Sequence, residues 1–185
     1  MSRPTTNNER RFDNSRCNDY YWSVAKGIQA ELKQSKPFSS LAEEAFIALM
    51  RTADQLQWTG AEVMKRFDVS PTQFSALRIL RGAGPQGLPC SEIGERMITR
   101  DSDITRLLDR LEKRGLAERC RESKDRRVIM AHITAAGLAL LKKMDKPVEE
   151  FHRRLLGQLE EAHLHSLLRL LEEAREAASS LPDKA

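Results

Sequence analysis

The stretch from Leu88 to Ile133, LPCSEIGERMITRDSDITRLLDRLEKRGLAERCRESKDRRVIMAHI, indicates the fold of this chain. It opens with two short patterns of helical spacing. Two segments of strand-like alternation follow, on either side of a polar turn. This is the order of a helix-turn-helix followed by a β-hairpin wing. The sequence therefore predicts a mainly α-helical protein with a small β-hairpin wing.

The second helix of the pair is predicted from about Arg100 to Lys113 and has two distinct faces. A DNA major groove is about 12 Å wide and admits one helix, and arginine can pair bidentately with guanine. A solvated amphipathic helix would show the same pattern, so this helix alone does not establish DNA binding. The inner face holds Ile104, Leu107, Leu108 and Leu111, and the candidate groove residues are Ser102, Asp103, Thr105, Arg106 and Arg110.

Two acids, Asp101 and Asp103, lie where this helix begins. Acids suit the first turn of a helix electrostatically but sit poorly against phosphate. An acid here can accept from cytosine, orient a neighbouring arginine or only cap the helix.

The predicted hairpin runs out along residues 117–121 and returns along 128–133, with a polar tip between them. The tip carries Lys124, Asp125, Arg126 and Arg127. An arginine at such a tip can enter the adjacent minor groove, where a narrow groove concentrates negative potential. A solvated tip is the alternative, but a helix-turn-helix and a basic hairpin in this order are more specific together than either is alone.

Long helical patterns flank the predicted lobe. An apolar stripe at alternating spacings of three and four runs from Ala42 to Phe67, and a similar stripe follows Thr134 and continues past Pro147, which is expected to kink the helix and not to end it. The residues predicted to begin helices are Ser39 or Ser40, Ser70, Pro89 and Thr134. The predicted organisation is therefore an N-terminal extension over 1–40 with an accessory helix between Cys17 and Gln34. The rest of the chain is predicted to form a winged lobe over 69–133, helical dimerisation regions over 41–68 and 134–178, and a polar tail over 179–185.

Composition narrows the class of protein. The 185 residues carry a formal net charge of +4, and the segment from Arg96 to Arg127 holds eleven Lys/Arg against seven Asp/Glu. No apolar run approaches the roughly 20 residues of a membrane span, and the N-terminus lacks the apolar core of a signal peptide. The sequence thus predicts a cytoplasmic protein without membrane association, with the basic excess in the predicted winged lobe.

Catalytic and metal-binding signatures are absent from the sequence. Cys17, Cys90 and Cys120 are scattered and odd in number, so neither a disulfide framework nor a Cys-x-x-Cys site is predicted. The four histidines lack zinc-site spacing. No nucleophile–base set or phosphate loop is present. We therefore expect no enzymatic activity, no cofactor and no metal.

Five motifs together resemble the MarR-type winged-helix transcriptional regulators. They are PTQFSAL from Pro71, EIGER from Glu92, DITRLLDRLEKRGL from Asp103, DRR from Asp125 and ITAAG from Ile133. The similarity extends from about residue 41 to 177.

The resemblance implies a homodimer in which the N-terminal and two C-terminal helices form the interface, and each winged lobe reads half of a palindromic site on double-stranded DNA. It implies groove contacts from residues 102–110 and a minor-groove contact from Arg126 or Arg127, with Asp125 orienting an arginine. Such proteins are often repressors released by small phenolic or other aromatic acids.

Candidate effector residues are Asp54, Trp58 and Arg78, which lie on helices that border the family's pocket. Trp58 can stack on an aromatic ligand and Arg78 can pair with a carboxylate, but interface packing and a surface charge explain them more simply.

Two rival functions stay open. One is a redox-responsive regulator that uses Cys17, which lies near Tyr20 and Tyr21. The other is a helical protein-interaction module whose basic hairpin binds another protein. Salt-dependent binding to a specific DNA palindrome distinguishes a regulator from the second.

Overall fold

A computed structural model describes residues 27–98, 103–121 and 128–181. Helices dominate these residues, and a three-stranded antiparallel sheet has the order β1-β3-β2, which confirms the predicted fold class. In chain order the elements are α1 Gly27–Glu31, α2 Leu41–Lys65, α3 Pro71–Ala83, a 3-10 turn Gly84–Gln86, β1 Leu88–Pro89, α4 Cys90–Arg96, α5 Ile104–Lys113, β2 Ala117–Arg121, β3 Ile129–Ile133, α6 Ala135–Leu156 and α7 Glu161–Ser179.

The chain divides into two compact units, with the boundary after Leu56 within α2. In the first unit, α2 begins at a reciprocal cap. The Glu43 backbone N–H donates to Ser40 Oγ at 3.1 Å, and the Ser39 hydroxyl donates to the Glu43 carboxylate at 2.6 Å. The hydrogen bonds from Ser39 lower the pKa of Glu43. The predicted cap before the long helix is confirmed, although α2 ends at Lys65 rather than Phe67.

The hydrophobic core of the second unit joins the predicted lobe to the first half of α6. Apolar residues spaced by three and four on α3, α5 and α6 fall on one face of each helix, which is the face they bury. The fully buried large side chains are Leu77, Leu80, Ile93, Leu108, Leu111, Leu141 and Met144.

Short polar caps set where α3 and α6 begin. The Gln73 backbone N–H donates to Ser70 Oγ at 3.1 Å, and the Ser70 backbone N–H donates to the Gln73 amide oxygen at 3.0 Å. Thr134 Oγ1 accepts from the Gly137 backbone N–H at 3.1 Å. Each such cap stabilises its helix by about 1 kcal/mol. Both caps were predicted from the sequence, as was the continuation of α6 through Pro147.

The hairpin follows the predicted strands closely, with Ala117 opposite Ile133 and Arg121 opposite Ile129. Its tip, residues 122–127, lies outside the described residues. The third strand, β1, was not predicted, because two residues are too few for alternation to be visible. Pro89 lies in this strand and is also the N-cap of α4, which begins at Cys90, so Pro89 opens the short helix as predicted.

The dimerisation role of 41–68 and 134–178 stays a prediction, as do the domain boundaries. The part of the accessory helix before Gly27 lies outside the described residues.

Gly137, in the first turn of α6, lies against the backbone of Leu116, the residue before β2. A Cβ built on it would lie 2.2 Å from the Leu116 carbonyl oxygen. That oxygen already accepts from the Thr134 backbone N–H at 3.1 Å, so the backbone there has no free room to move. Only glycine fits where α6 starts against β2.

We expect Gly137→Ala to lower the free energy of unfolding by about 2–4 kcal/mol, because the methyl group must displace backbone rather than a flexible side chain. Gly82→Ala is the matched control, since a Cβ at this position of α3 meets nothing within 4 Å. It should raise stability by up to about 1 kcal/mol through helix propensity. Urea titration followed by circular dichroism measures both, and equal midpoints for the two variants would contradict the packing described.

Candidate DNA-binding surface

Helix α5 is buried on one side and exposed on the other, as the sequence predicted. Leu107, Leu108 and Leu111 are buried against the core. This apolar face holds the helix to the lobe, so the opposite face is presented on a fixed support. That opposite face is exposed at Thr105, Arg106, Arg110 and Lys113.

Asp103 is the N-cap of α5. Its Oδ1 accepts from the Arg106 backbone N–H at 3.0 Å, and its Oδ2 lies 3.0 Å from Arg106 Nε. One carboxylate therefore caps the helix and also pairs with the exposed side chain of Arg106. The predicted start near Arg100 was wrong: Asp103 has non-helical angles and α5 begins at Ile104.

Arg119 of β2 joins the wing to α5. Its backbone N–H donates to Glu112 Oε1 at 2.7 Å, and its Nε donates to Glu112 Oε2 at 2.9 Å. Its Nη2 also donates to the Asp109 carboxylate. The hydrogen bonds from Arg119 lower the pKa of Glu112, and those from Glu112 raise the pKa of Arg119. By helical spacing Asp109 falls on the outer face of α5, and its contact with Arg119 was not predicted. The missed signal was a basic residue two positions after Ala117, on the inward side of the strand.

Arg114 joins the end of α5 to the connection between α2 and α3. Its Nη2 lies 3.2 Å from Asp68 Oδ2, and its Nη1 donates to the Asp68 carbonyl oxygen. Asp68 has φ +54°, a left-handed conformation that is uncommon outside glycine. No pattern in the sequence pointed to this contact, which ties the carboxyl end of α5 to the segment where the lobe begins.

A cleft of about 660 Å³ lies between this end of α5, the last turns of α2 and the first turn of α3. Arg110 and Lys113 of α5 line it, together with Arg114. Its charged lining includes four basic and two acidic residues, with Lys65 the fourth base. The exposed basic face of α5 thus continues into a concave basic surface.

Five candidate residues lie outside the described residues: Cys17, Ser102, Asp125, Arg126 and Arg127. The remaining DNA-contact candidates lie along α5 and its cap and come together on one surface.

The three effector candidates lie on two helices, Asp54 and Trp58 on α2 and Arg78 on α3. Asp54 is exposed on α2 and lies 3.9 Å from Arg51. Trp58 is 64% exposed on the same helix. Arg78 lies over the Phe74 ring at 5.7 Å, at the edge of a cleft of about 210 Å³ between α3 and α6. Trp58 is not among the residues that line this cleft.

The described cysteines differ in surroundings. Cys90 is half-buried, and burial raises the pKa of its thiol, which disfavours the reactive thiolate. Cys120 is exposed on the wing.

Among the residues that the structure describes, no cluster of three or more His, Cys, Asp or Glu side chains is arranged to hold a metal ion. Across 27–98, 103–121 and 128–181, no helix combines the length and apolar character needed to cross a bilayer.

A model of the MarR family matches residues 69–129. A MarR transcription factor from Planctomyces limnophilus is 42% identical, with a TM-score of 0.57, and the match covers 74% of this chain and 98% of that one. A mutant MarR from Escherichia coli complexed with operator DNA has a TM-score of 0.65 at 24% identity, covering 74% and 99%, which shows similarity of fold.

Two relatives from Bacillus subtilis are HTH-type transcriptional regulators. The transcriptional repressor MdtR is 34% identical over 55% of this chain and 64% of its own length. The regulator YkoM is 35% identical over 43% of this chain, and the match spans about half, 51%, of YkoM.

The lowered pKa of Glu112 predicts a pH-dependent stability. A carboxyl group whose pKa falls on folding stabilises the folded state above its normal pKa, and this contribution is lost as the pH falls through the lowered value. Glu112→Gln should therefore cost about 1 kcal/mol at neutral pH, and the difference from the parent protein should narrow on acidification to about pH 3.

Urea titrations at both pH values measure this difference. Glu118→Gln is the control, since Glu118 is exposed on the same strand as Arg119. A Glu112→Gln deficit that does not change between the two pH values would show that the ionised carboxylate is not the stabilising group.

Proposed function

Because this chain belongs to the MarR family of transcriptional regulators, we propose that it is a sequence-specific repressor that binds a palindromic DNA operator in the cytoplasm as a homodimer. One observation carries the proposal. Helix α5 buries its leucines and exposes its arginines, and Arg119 ties it to the hairpin. A helix held in this way can enter a major groove while the wing follows the backbone.

Arg106 is the proposed base-reading residue. Its side chain is 77% exposed, and Asp103 holds its Nε at 3.0 Å. The remaining guanidinium donors can face guanine O6 and N7, and an arginine already held in one orientation loses less entropy on binding. The role of Asp103 is therefore orientation of Arg106, with Thr105 beside it for a base edge or phosphate.

Arg110 and Lys113 are proposed to contact phosphates. They line the basic cleft at the carboxyl end of α5, where the DNA backbone would pass if the amino end of α5 lies in the groove. From the family resemblance, Ser102 adds a groove contact and Arg126 or Arg127 enters the minor groove with Asp125 at the wing base. The phosphate contacts position the protein on the DNA and determine how strongly its affinity depends on salt.

A second copy of the chain is the proposed partner of the C-terminal helix. None of the residues of α7 is buried in the single chain. Its exposed apolar side chains include Leu167, Leu168 and Leu170, of which Leu168 is 64% exposed. Helices with such a stripe bury it against another helix, and a two-fold dimer matches a palindromic operator.

An aromatic carboxylate is the proposed effector, with the cleft between α3 and α6 as its site. Arg81 is already paired with Asp145, at 2.8 and 3.0 Å. Arg78 contacts the Phe74 ring instead, so its guanidinium donors can meet a carboxylate. The proposed role of Asp54 and Trp58 is secondary and rests on the family resemblance alone.

The first experiment is selection of bound DNA from a random pool, because it tests binding and symmetry together. A palindromic consensus is expected. Recovery of no enriched sequence, with no DNA binding that survives moderate salt, would favour the interaction-module alternative. Release of the selected DNA by peroxide that disappears in Cys17→Ser would favour the redox alternative.

On the selected operator, Arg106→Ala should weaken binding by about 5- to 150-fold, equivalent to about 1–3 kcal/mol, and should reduce discrimination against random DNA. Lys113→Ala should weaken binding to both DNAs alike and should reduce the slope of log affinity against log salt by about one. Fluorescence anisotropy at several salt concentrations measures both effects.

Lys36→Ala is the matched control, since it removes the same charge from an exposed position before α2, outside the proposed DNA contacts and outside the proposed dimer helix. It should leave operator affinity within about twofold. Full affinity and full discrimination in Arg106→Ala would assign base reading to another residue.

For the effector site, salicylate is the probe. Salicylate should release the operator from the parent protein, and Arg78→Ala should raise the concentration needed by about tenfold or more, since a charge-assisted pair is lost. Arg66→Ala, an exposed arginine outside the cleft, should respond like the parent. Equal release of all three proteins would remove Arg78 from the effector site.

A further inference from the structure

The outward face of the wing carries a group of side chains that the proposed DNA contacts do not use. Ala117 and Ala131 point into the core and are buried. Residues one position away on each strand therefore point outward. Cys120 and His132 lie on this outward face, and Met130 is the residue directly opposite Cys120 in the strand pairing.

Cys120 and His132 are in contact. The Cys120 Sγ atom lies 3.4 Å from His132 Nε2. Directly opposed residues in an antiparallel pair have Cβ atoms about 4.5–5.5 Å apart, so Met130 is the neighbour of Cys120 on the same face of the ribbon. A thiol and an imidazole are thus in contact on this face, and a thioether side chain lies beside them.

Gly87 helps to hold the histidine ring in this position. A Cβ built on Gly87 would lie 2.6 Å from Cε1 and Nδ1 of His132. The ring therefore lies in space that any side chain at position 87 would fill. Its Nδ1 edge faces the chain before β1, and its Nε2 edge faces Cys120.

We propose that Cys120, Met130 and His132 form a binding site for a soft monovalent metal ion, Cu(I), on the wing. Bonds of about 2.3 Å to thiolate sulfur and about 2.0 Å to imidazole nitrogen, at tetrahedral to trigonal angles, separate the two ligand atoms by about 3.5–3.8 Å. The 3.4 Å between Sγ and Nε2 is close to this separation. Small rotations about the side-chain bonds complete the site.

The ligand set favours copper(I) over zinc. Zinc takes four nitrogen, oxygen or thiolate ligands, and in the part of the chain that the structure describes no three His, Cys, Asp or Glu groups converge. A thiolate with a thioether selects Cu(I), and the third ligand here is imidazole. Binding releases the thiol proton to solvent and involves no change in oxidation state.

The site is accessible to an incoming ion because Cys120 is exposed, whereas Cys90 is half-buried. None of its three residues is a proposed DNA contact, either on α5 or at the wing tip. Because the ion replaces the thiol proton, binding leaves the net charge of the strands that lead to the wing tip unchanged.

The test is Cu(I) titration of the full chain under reducing, oxygen-free conditions, in competition with the chelator bicinchoninate. Cys17→Ser and Cys90→Ala are combined as the background, which leaves Cys120 as the only thiol. The expected result is one Cu(I) per chain. Cys120→Ser should abolish competition with the chelator, and His132→Gln and Met130→Leu should each weaken affinity at least tenfold.

Matched controls are His165→Gln on α7 and Met50→Leu on α2, both exposed, which should bind as the background does. Unchanged affinity in Cys120→Ser would overturn the proposal. Unchanged affinity in both His132→Gln and Met130→Leu would also overturn it, because the thiol would then act alone. The His132 and Met130 variants keep the test decisive if Cys120→Ser does not fold.

Discussion

The position of the wing beside α5 depends on the guanidinium of Arg119, which extends from β2 to two carboxylates one turn apart on that helix. The group is about three-quarters covered, with a side-chain exposure of 24%, so its charge needs the hydrogen bonds that Asp109 and Glu112 supply. Removing one partner leaves a poorly solvated charge. The two described strands of the hairpin are therefore held against α5, so the two elements that are proposed to contact neighbouring DNA grooves keep a fixed relative position.

Most of the correct predictions rest on patterns of residues that are close together in the sequence. The inner face of α5, the caps at Ser70 and Thr134 and the two hairpin strands follow from spacing and side-chain chemistry within a few residues. These features are set by short-range geometry, and neighbours far along the chain change them little. The family resemblance rested on the same segments, which is why the fold and the regulator class were predicted together.

Features that depend on residues distant in sequence were missed. Arg114 contacts Asp68, which is 46 positions away in the sequence. The strand β1 forms only because its two residues pair with the edge of β3. Arg119 was read as one basic residue among many, since a pattern of alternation does not say which carboxylates lie behind a strand. The start of α5 was placed too early because Asp103, an acid within a helical pattern, serves equally well as a first-turn residue or as its cap.

The separation of roles on α5 has an evolutionary consequence. Leu107, Leu108 and Leu111 contribute to stability, whereas Thr105 and Arg106 contribute almost nothing to the core. Substitutions on the exposed face can therefore accumulate without a matching loss of folding free energy. On the proposed function, the products of duplicated genes can diverge in the DNA sequences that they bind while the core of the lobe stays the same. The same few positions can also be randomised in a search for new DNA targets.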